Sequence, residues 1–210
     1  CGNRQMARME APLNKPEPLY TPLATRYDGK RFSSPNDAVY NDAGELFFTD
    51  PPYGLETQRD DDPKKEMKWN GVYKVKTNGD VILLTDSIPR PNGIALLPGD
   101  QQLIIACSDP AKPNWYIYDL AGDSLMNGRI FHSTLNELKE VNGLPDGLKI
   151  GKNGIMYASG PGGIWIFTST GKLLGRIRVK NPASNCALSA DEKTLYITND
   201  MQILRVRLRK

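Results

Sequence analysis

Four polar corners carry the residues of this 210-residue chain best suited to chemistry. They are Asn36 in Ser34-Pro35-Asn36-Asp37, Asn92 in Arg90-Pro91-Asn92-Gly93, Asp146 in Leu144-Pro145-Asp146-Gly147 and Asn185 in Ala183-Ser184-Asn185-Cys186. Three amide oxygens and one carboxylate form an all-oxygen donor set. It suits a hard divalent cation, calcium first, then magnesium or manganese; zinc, which prefers nitrogen and sulfur, fits least well. Asp146 is the one carboxylate among the four, and hence the candidate to position or deprotonate a water. Asn, Asp and Gly also make good turns, so a single corner would mean little. Four in register, proline preceding three of them, point to one shared site.

Each corner opens the same supersecondary unit: a short apolar strand, a tight turn and a second apolar strand. Ala38-Val39-Tyr40 turns at Asp42-Ala43-Gly44 into Leu46-Phe47-Phe48-Thr49. The pattern returns at Ile94–Ala106, Leu148–Ala158 and Ala187–Thr198. Two further alternating strands follow each of the first three units, as in Gly71–Lys76 and Val81–Leu84 around the Asn78-Gly79 turn. The polar corners recur at spacings of 56, 54 and 39 residues. Four short strands at a period of about 40–50 residues predict the blades of a β-propeller, an all-β fold of four-stranded antiparallel blades. The first strand of each blade lines the central channel, which would bring the four corners to one axis.

Composition is that of an ordinary globular protein, with 24% charged residues and a net charge of +3. Arg205, Arg207, Arg209 and Lys210 alternate with apolar residues, as a strand with one solvated face would, so no nucleic-acid patch is expected. No run approaches the length of a membrane helix. Cys1, Cys107 and Cys186 make neither a disulfide framework nor a zinc signature and leave the compartment open, cytoplasmic, periplasmic or secreted. The prolines at 12, 16, 18 and 22 suggest a loop or short edge strand, and only Leu135–Val141 looks helical. Glu56–Lys68 reads as a solvated excursion, and its Asp60-Asp61-Asp62 run as an acidic loop more than a cation site. His132, late in its unit, reads as structural. Asp37 would face away from Asn36 in a regular strand. Tyr53, in the rigid Pro51-Pro52-Tyr53-Gly54 turn, is an exposed aromatic that could border the channel mouth.

The segments SPNDAVYNDAGELFFTDPPYGL, RPNGIALLPGDQQLIIA, LPDGLKIGKNGIMYASGPGGIWIF and ASNCALSADEKTLYIT resemble successive blades of the gluconolactonase, senescence-marker-protein and luciferin-regenerating-enzyme-like family. The resemblance runs nearly the whole chain. It implies a six-bladed propeller with a divalent cation, often calcium, in the channel, and in many members hydrolysis of lactones. On this resemblance Asn92 and Asp146 fall on metal-ligand positions, and Asn36 on a third position that serves relatives as ligand or substrate contact. The family's remaining ligand, a first-blade glutamate, has no counterpart here. Cys1-Gly2-Asn3-Arg4-Gln5 resembles the family's second-blade segment. Residues 1–210 would then be a single propeller domain of about four and a half blades, its N-terminal part missing. The implied reaction is metal-assisted hydrolysis of a sugar lactone or related ester, with Asp146 catalytic, Asn36, Asn92 and Asp146 on the metal, Asn36 and Tyr53 on the substrate, and Asn185 lining the channel. The alternatives are a phosphoester or organophosphate hydrolase on the same site, and a non-catalytic propeller that binds small molecules or proteins.

Overall fold

The computed structural model describes residues 3–139 and 141–208; the part in the terminal residues assigned above to Cys1, Arg209 and Lys210 lies outside them. The chain is a β-propeller of four antiparallel blades, preceded by two small hairpins. The hairpins pair β1 (Met6–Met9) with β2 (Tyr20–Ala24), and β3 (Arg26–Tyr27) with β4 (Lys30–Arg31). The proline-rich stretch thus ends in a true strand. The β3–β4 hairpin, absent from the sequence expectations, turns on Asp28 and Gly29, both at positive φ, the conformation a two-residue hairpin loop requires.

The first blade is β5 (Ala38–Tyr40), β6 (Leu46–Asp50), β7 (Gly71–Val75) and β8 (Val81–Thr85). The second is β9 (Pro91–Leu96), β10 (Gln102–Cys107), β11 (Asn114–Ala121) and β12 (Ser124–Ser133). The third is β13 (Leu148–Ile150), β14 (Met156–Gly160), β15 (Gly163–Phe167) and β16 (Leu173–Arg178). The fourth has three strands, β17 (Ala183–Leu188), β18 (Thr194–Asn199) and β19 (Gln202–Arg207). Each sheet runs in sequence order, as consecutive hairpins must. No α-helix forms among the described residues. The stretch expected to be helical holds one 3-10 turn, Glu137–Lys139.

Period-two alternation gives each blade two apolar faces, and the faces weld the blades together. On the second blade Ile94, Leu96, Leu103 and Ile105 pack with Phe47 and Val72 of the first. The intervening residues Ala95, Ile104, Ala106, Trp115 and Ile117 pack with Leu148, Met156, Trp165 and Phe167 of the third. Ile164 of the third meets Ala183, Cys186, Leu195 and Ile197 of the fourth. The other face of the first blade, through Leu46, Phe48 and Tyr73, covers Ala24 and Phe32 beside the hairpins. His132 sits within this packing, its ring centroid 5.2 Å from Trp165 and 5.1 Å from Phe167, and burial lowers its pKa. Its surroundings are structural, as expected.

The innermost strands stand side by side, β5 against β9, β9 against β13 and β13 against β17. That ordering carries the corners at their N-terminal ends to one end of the channel.

Candidate functional site

The corners converge. Asn36, Asn92, Asp146 and Asn185 line a single cavity of about 700 Å³, together with Tyr53. The backbone hydrogen bonds fix how each corner enters its strand. Asn36 N–H donates to Thr49 O (2.9 Å) and Thr49 N–H to Asp37 O (3.1 Å); Asp146 N–H donates to Ser159 O (3.2 Å) and Ser159 N–H to Gly147 O (3.0 Å). Asn36 and Asp146 therefore hold the same position, and Asp37 and Gly147 the next one.

This register corrects the fourth corner. Asn185 N–H donates to Thr198 Oγ1 (2.9 Å), and the Asn185 carboxamide oxygen accepts from Cys186 N–H (2.8 Å). Asp37 makes the same two contacts, to Thr49 Oγ1 (3.3 Å) and from Ala38 N–H (2.9 Å). Asn185 lines the cavity but is the counterpart of Asp37, and its oxygen is held by its own backbone. Ser184, also on the cavity, stands where Asn36, Asn92 and Asp146 stand.

Glycine at the second position of the two central corners serves close approach. A Cβ on Gly93 would run into the Asp146 carbonyl, and one on Gly147 into the Asn185 carboxamide. The central corners are also cross-linked. Ser108 Oγ accepts from Asn92 Nδ2 (2.8 Å) and donates to Pro145 O (2.5 Å), while Thr49 Oγ1 donates to Asn92 O (2.6 Å). With Nδ2 so engaged, Oδ1 is the Asn92 atom left to face a ligand. The first corner has its own anchor in Asp50, a fully buried carboxylate that accepts from Ser33 N–H (2.8 Å) and Ser34 N–H (2.5 Å). Gly54 N–H donates to Ser34 Oγ (2.7 Å), tying in the turn that carries Tyr53.

Asp146 is pushed up to about 6, first by burial and then by the field of Asp37, against the draw of the Gly147 N–H and the Asn92 amide. Asp37 is not among the residues lining the cavity; its carboxylate lies 3.6 Å from Lys149 Nζ of the third blade. Tyr53 is half-buried rather than exposed; its hydroxyl is enclosed and pushed up to about 12 by burial, against the draw of the neighbouring Ser108 hydroxyl.

Oxygen donors from Asn36, Asn92 and Asp146 on one cavity are the kind a hard divalent cation takes. Among the described residues no group of three or more His, Cys, Asp or Glu side chains gathers, so amides must supply part of any such set. The Asp60–Asp62 run is satisfied internally. Asp62 accepts from Thr57 N–H (2.9 Å), Thr57 Oγ1 (2.8 Å) and Lys64 N–H (2.8 Å), and Asn70 Nδ2 donates to Asp60 (2.7 Å). The excursion is not wholly solvated either, since Asp62 and Met67 are buried.

The fold is a β-propeller whose corner end gathers amides, a carboxylate and a serine on one cavity. The model of the SMP-30/Gluconolactonase/LRE-like region matches residues 2–200, and the chain belongs to that family. It is 41% identical over 192 residues to a gluconolactonase of Zymomonas mobilis, a match covering 88% of this chain and 53% of that protein. It is 24% identical over 203 residues to the lactonohydrolase oryL of Aspergillus oryzae, covering 88% and 46%. Among solved structures, a gluconolactonase of Xanthomonas campestris superposes with a TM-score of 0.85 at 29% identity, covering 99% of this chain and 66% of that one. The chain spans about half the length of the curated relatives it matches.

Proposed function

We propose that the protein hydrolyses a sugar lactone or a closely related cyclic ester in the cavity at the corner end of the channel. The observation that carries the reading is Asp146: a carboxylate raised to about 6, flanked by Asn92 and lining one cavity with Asn36 and Tyr53. A base of that pKa is largely ionised near neutral pH yet still takes a proton readily.

In the reaction water adds to the lactone carbonyl carbon as Asp146 accepts one of its protons. The ring C–O bond then breaks, the leaving oxygen takes that proton back from Asp146, and the carboxylic acid formed releases its own proton to solvent, leaving a hydroxy acid with an ionised carboxyl group. Asn36 and Asn92 offer amide groups to the carbonyl end, and Tyr53 a neutral hydroxyl to the rest of the ring. Asn36, Asn92 and Asp146 are the residues that would hold a divalent cation, calcium first, which when bound supplies Lewis-acid polarisation of the carbonyl. The gluconolactonase and lactonohydrolase relatives favour a lactone over a phosphoester.

The test is hydrolysis of glucono-1,5-lactone, followed as acid release above the uncatalysed rate between pH 5 and 8. Because the base must be ionised, kcat/KM should rise about tenfold per pH unit below 6 and level off above it. No turnover above background, or a profile unaltered in Asp146→Asn, would sink the reading.

A further inference from the structure

Hydrolysis of a lactone leaves an anion in a cavity that already contains Asp146 and is overlooked by Asp37. Lys149 offsets Asp37, and a cationic side chain on the cavity itself would orient the anion against Asp146. Of the residues lining the cavity one is a lysine or arginine: Arg90, two residues before Asn92.

Arg90 is built into the rim. Ser108 N–H donates to its carbonyl (3.0 Å), and Asn70 Nδ2 to the carbonyl of the preceding Pro89 (2.6 Å). Its guanidinium carbon lies 5.8 Å from the centroid of the Tyr53 ring, within range of a cation–π contact. Its acidic neighbour is Asp60, at 3.9 Å. That carboxylate is more than half exposed and already accepts from Asn70, and a loose surface pair of this kind contributes little. The guanidinium fork therefore remains free to donate above the Tyr53 ring.

We propose that Arg90 is a specificity-determining residue that receives the carboxylate released on ring opening, with the Tyr53 ring as the platform beneath it. A planar fork matches a carboxylate with two parallel hydrogen bonds, which an uncharged lactone does not offer. Arg90 so placed favours the hydroxy-acid product over the neutral substrate and makes the product a competitive inhibitor.

This rests on the lactone-hydrolase reading, and the experiment keeps the two apart. Gluconate is tested as an inhibitor of glucono-1,5-lactone hydrolysis in the wild type, Arg90→Met, Arg90→Lys and Tyr53→Phe. The inhibition constant should rise at least about tenfold in Arg90→Met and less in Arg90→Lys, while KM and kcat for the neutral lactone move less than about threefold in both; Tyr53→Phe, which keeps the ring but loses a substrate contact, should weaken lactone and gluconate alike. Turnover with an unchanged gluconate constant in Arg90→Met would overturn the Arg90 assignment and leave the hydrolase reading standing. A wild type inert toward lactone would overturn the hydrolase reading, and calorimetric titration with gluconate would then decide Arg90 alone. Affinity lost in Arg90→Met supports the assignment; equal affinity, or no binding to the wild type, overturns it. Should Arg90→Met fail to fold, Arg90→Lys carries the same comparison.

Discussion

The two central corners and the two flanking ones share a backbone pattern and differ at one position. At Asn92 and Asp146 the following residue is glycine; at Asn36 and Ser184 it carries a side chain, Asp37 or Asn185. Where it is glycine, the neighbouring corner closes in, so that Gly93 abuts the Asp146 carbonyl and Ser108 bridges Asn92 to Pro145. Where it is not, the side chain turns back onto its own strand, accepting from the next backbone N–H. Asn92 is 5% exposed whereas Asn36 is open. The pair on which the proposed reaction turns is thus the more tightly packed pair, as a reaction that must hold geometry would require.

The largest break in this comparison is Asp146→Asn. It keeps size and shape but cannot accept a proton, and lactone turnover should fall by about 10²–10⁴-fold with little change in unfolding temperature. Asp50→Ala comes next and acts on the flank. Two buried N–H groups, of Ser33 and Ser34, lose their acceptor, and stability measured by denaturant should drop by roughly 2–5 kcal/mol. Burial raises Asp50 to about 6 from 3.8, so the native state binds that proton more tightly than the unfolded chain. This contribution is present below about pH 4 and is lost as the pH rises through 6; Asp50→Asn should flatten that part of the stability profile.

Gly93→Ala tests close approach directly. Its methyl meets backbone, the Asp146 carbonyl, which cannot step aside. A cost of about 1–3 kcal/mol and a loss of activity on the order of a hundredfold are expected, the latter because Asp146 shifts. Gly147→Ala meets a side chain, Asn185, and should cost less on both measures. Equal effects from the two would mean that the corners are not locked as described.

The blades were legible in the sequence because alternation writes both faces of every strand, and the corners because proline and glycine flank a polar residue. Asn36, Asn92, Asp146 and Tyr53, which line one cavity, were singled out this way. What was misread lies where those marks fail. Ala183-Ser184-Asn185-Cys186 has neither proline nor glycine, so the asparagine drew the assignment that pairing with Thr198 gives to Ser184. The contact of Asp37 with Lys149 of the third blade is one that strand alternation cannot show. Asp50 and Arg90 were passed over because their importance comes from contacts across 16 residues or more, to Ser34 and Tyr53, which no local pattern records.

Asn185→Ala is the smallest expected effect and the sharpest check on the register. If Asn185 stood where Asn92 stands, its loss should cripple turnover. Held as it is, its oxygen serves Cys186 N–H, a local bond from side chain to backbone worth about 1 kcal/mol. Turnover should stay within about threefold of wild type while stability falls by that amount, because the atom removed faces the chain and not the ligand. Ser184→Ala is the partner measurement. Its hydroxyl shares a 2.8 Å hydrogen bond with Thr198 Oγ1 at the corner position, so activity should suffer more there than at Asn185. The reverse order would return the fourth corner to Asn185 and undo the distinction between central and flanking corners.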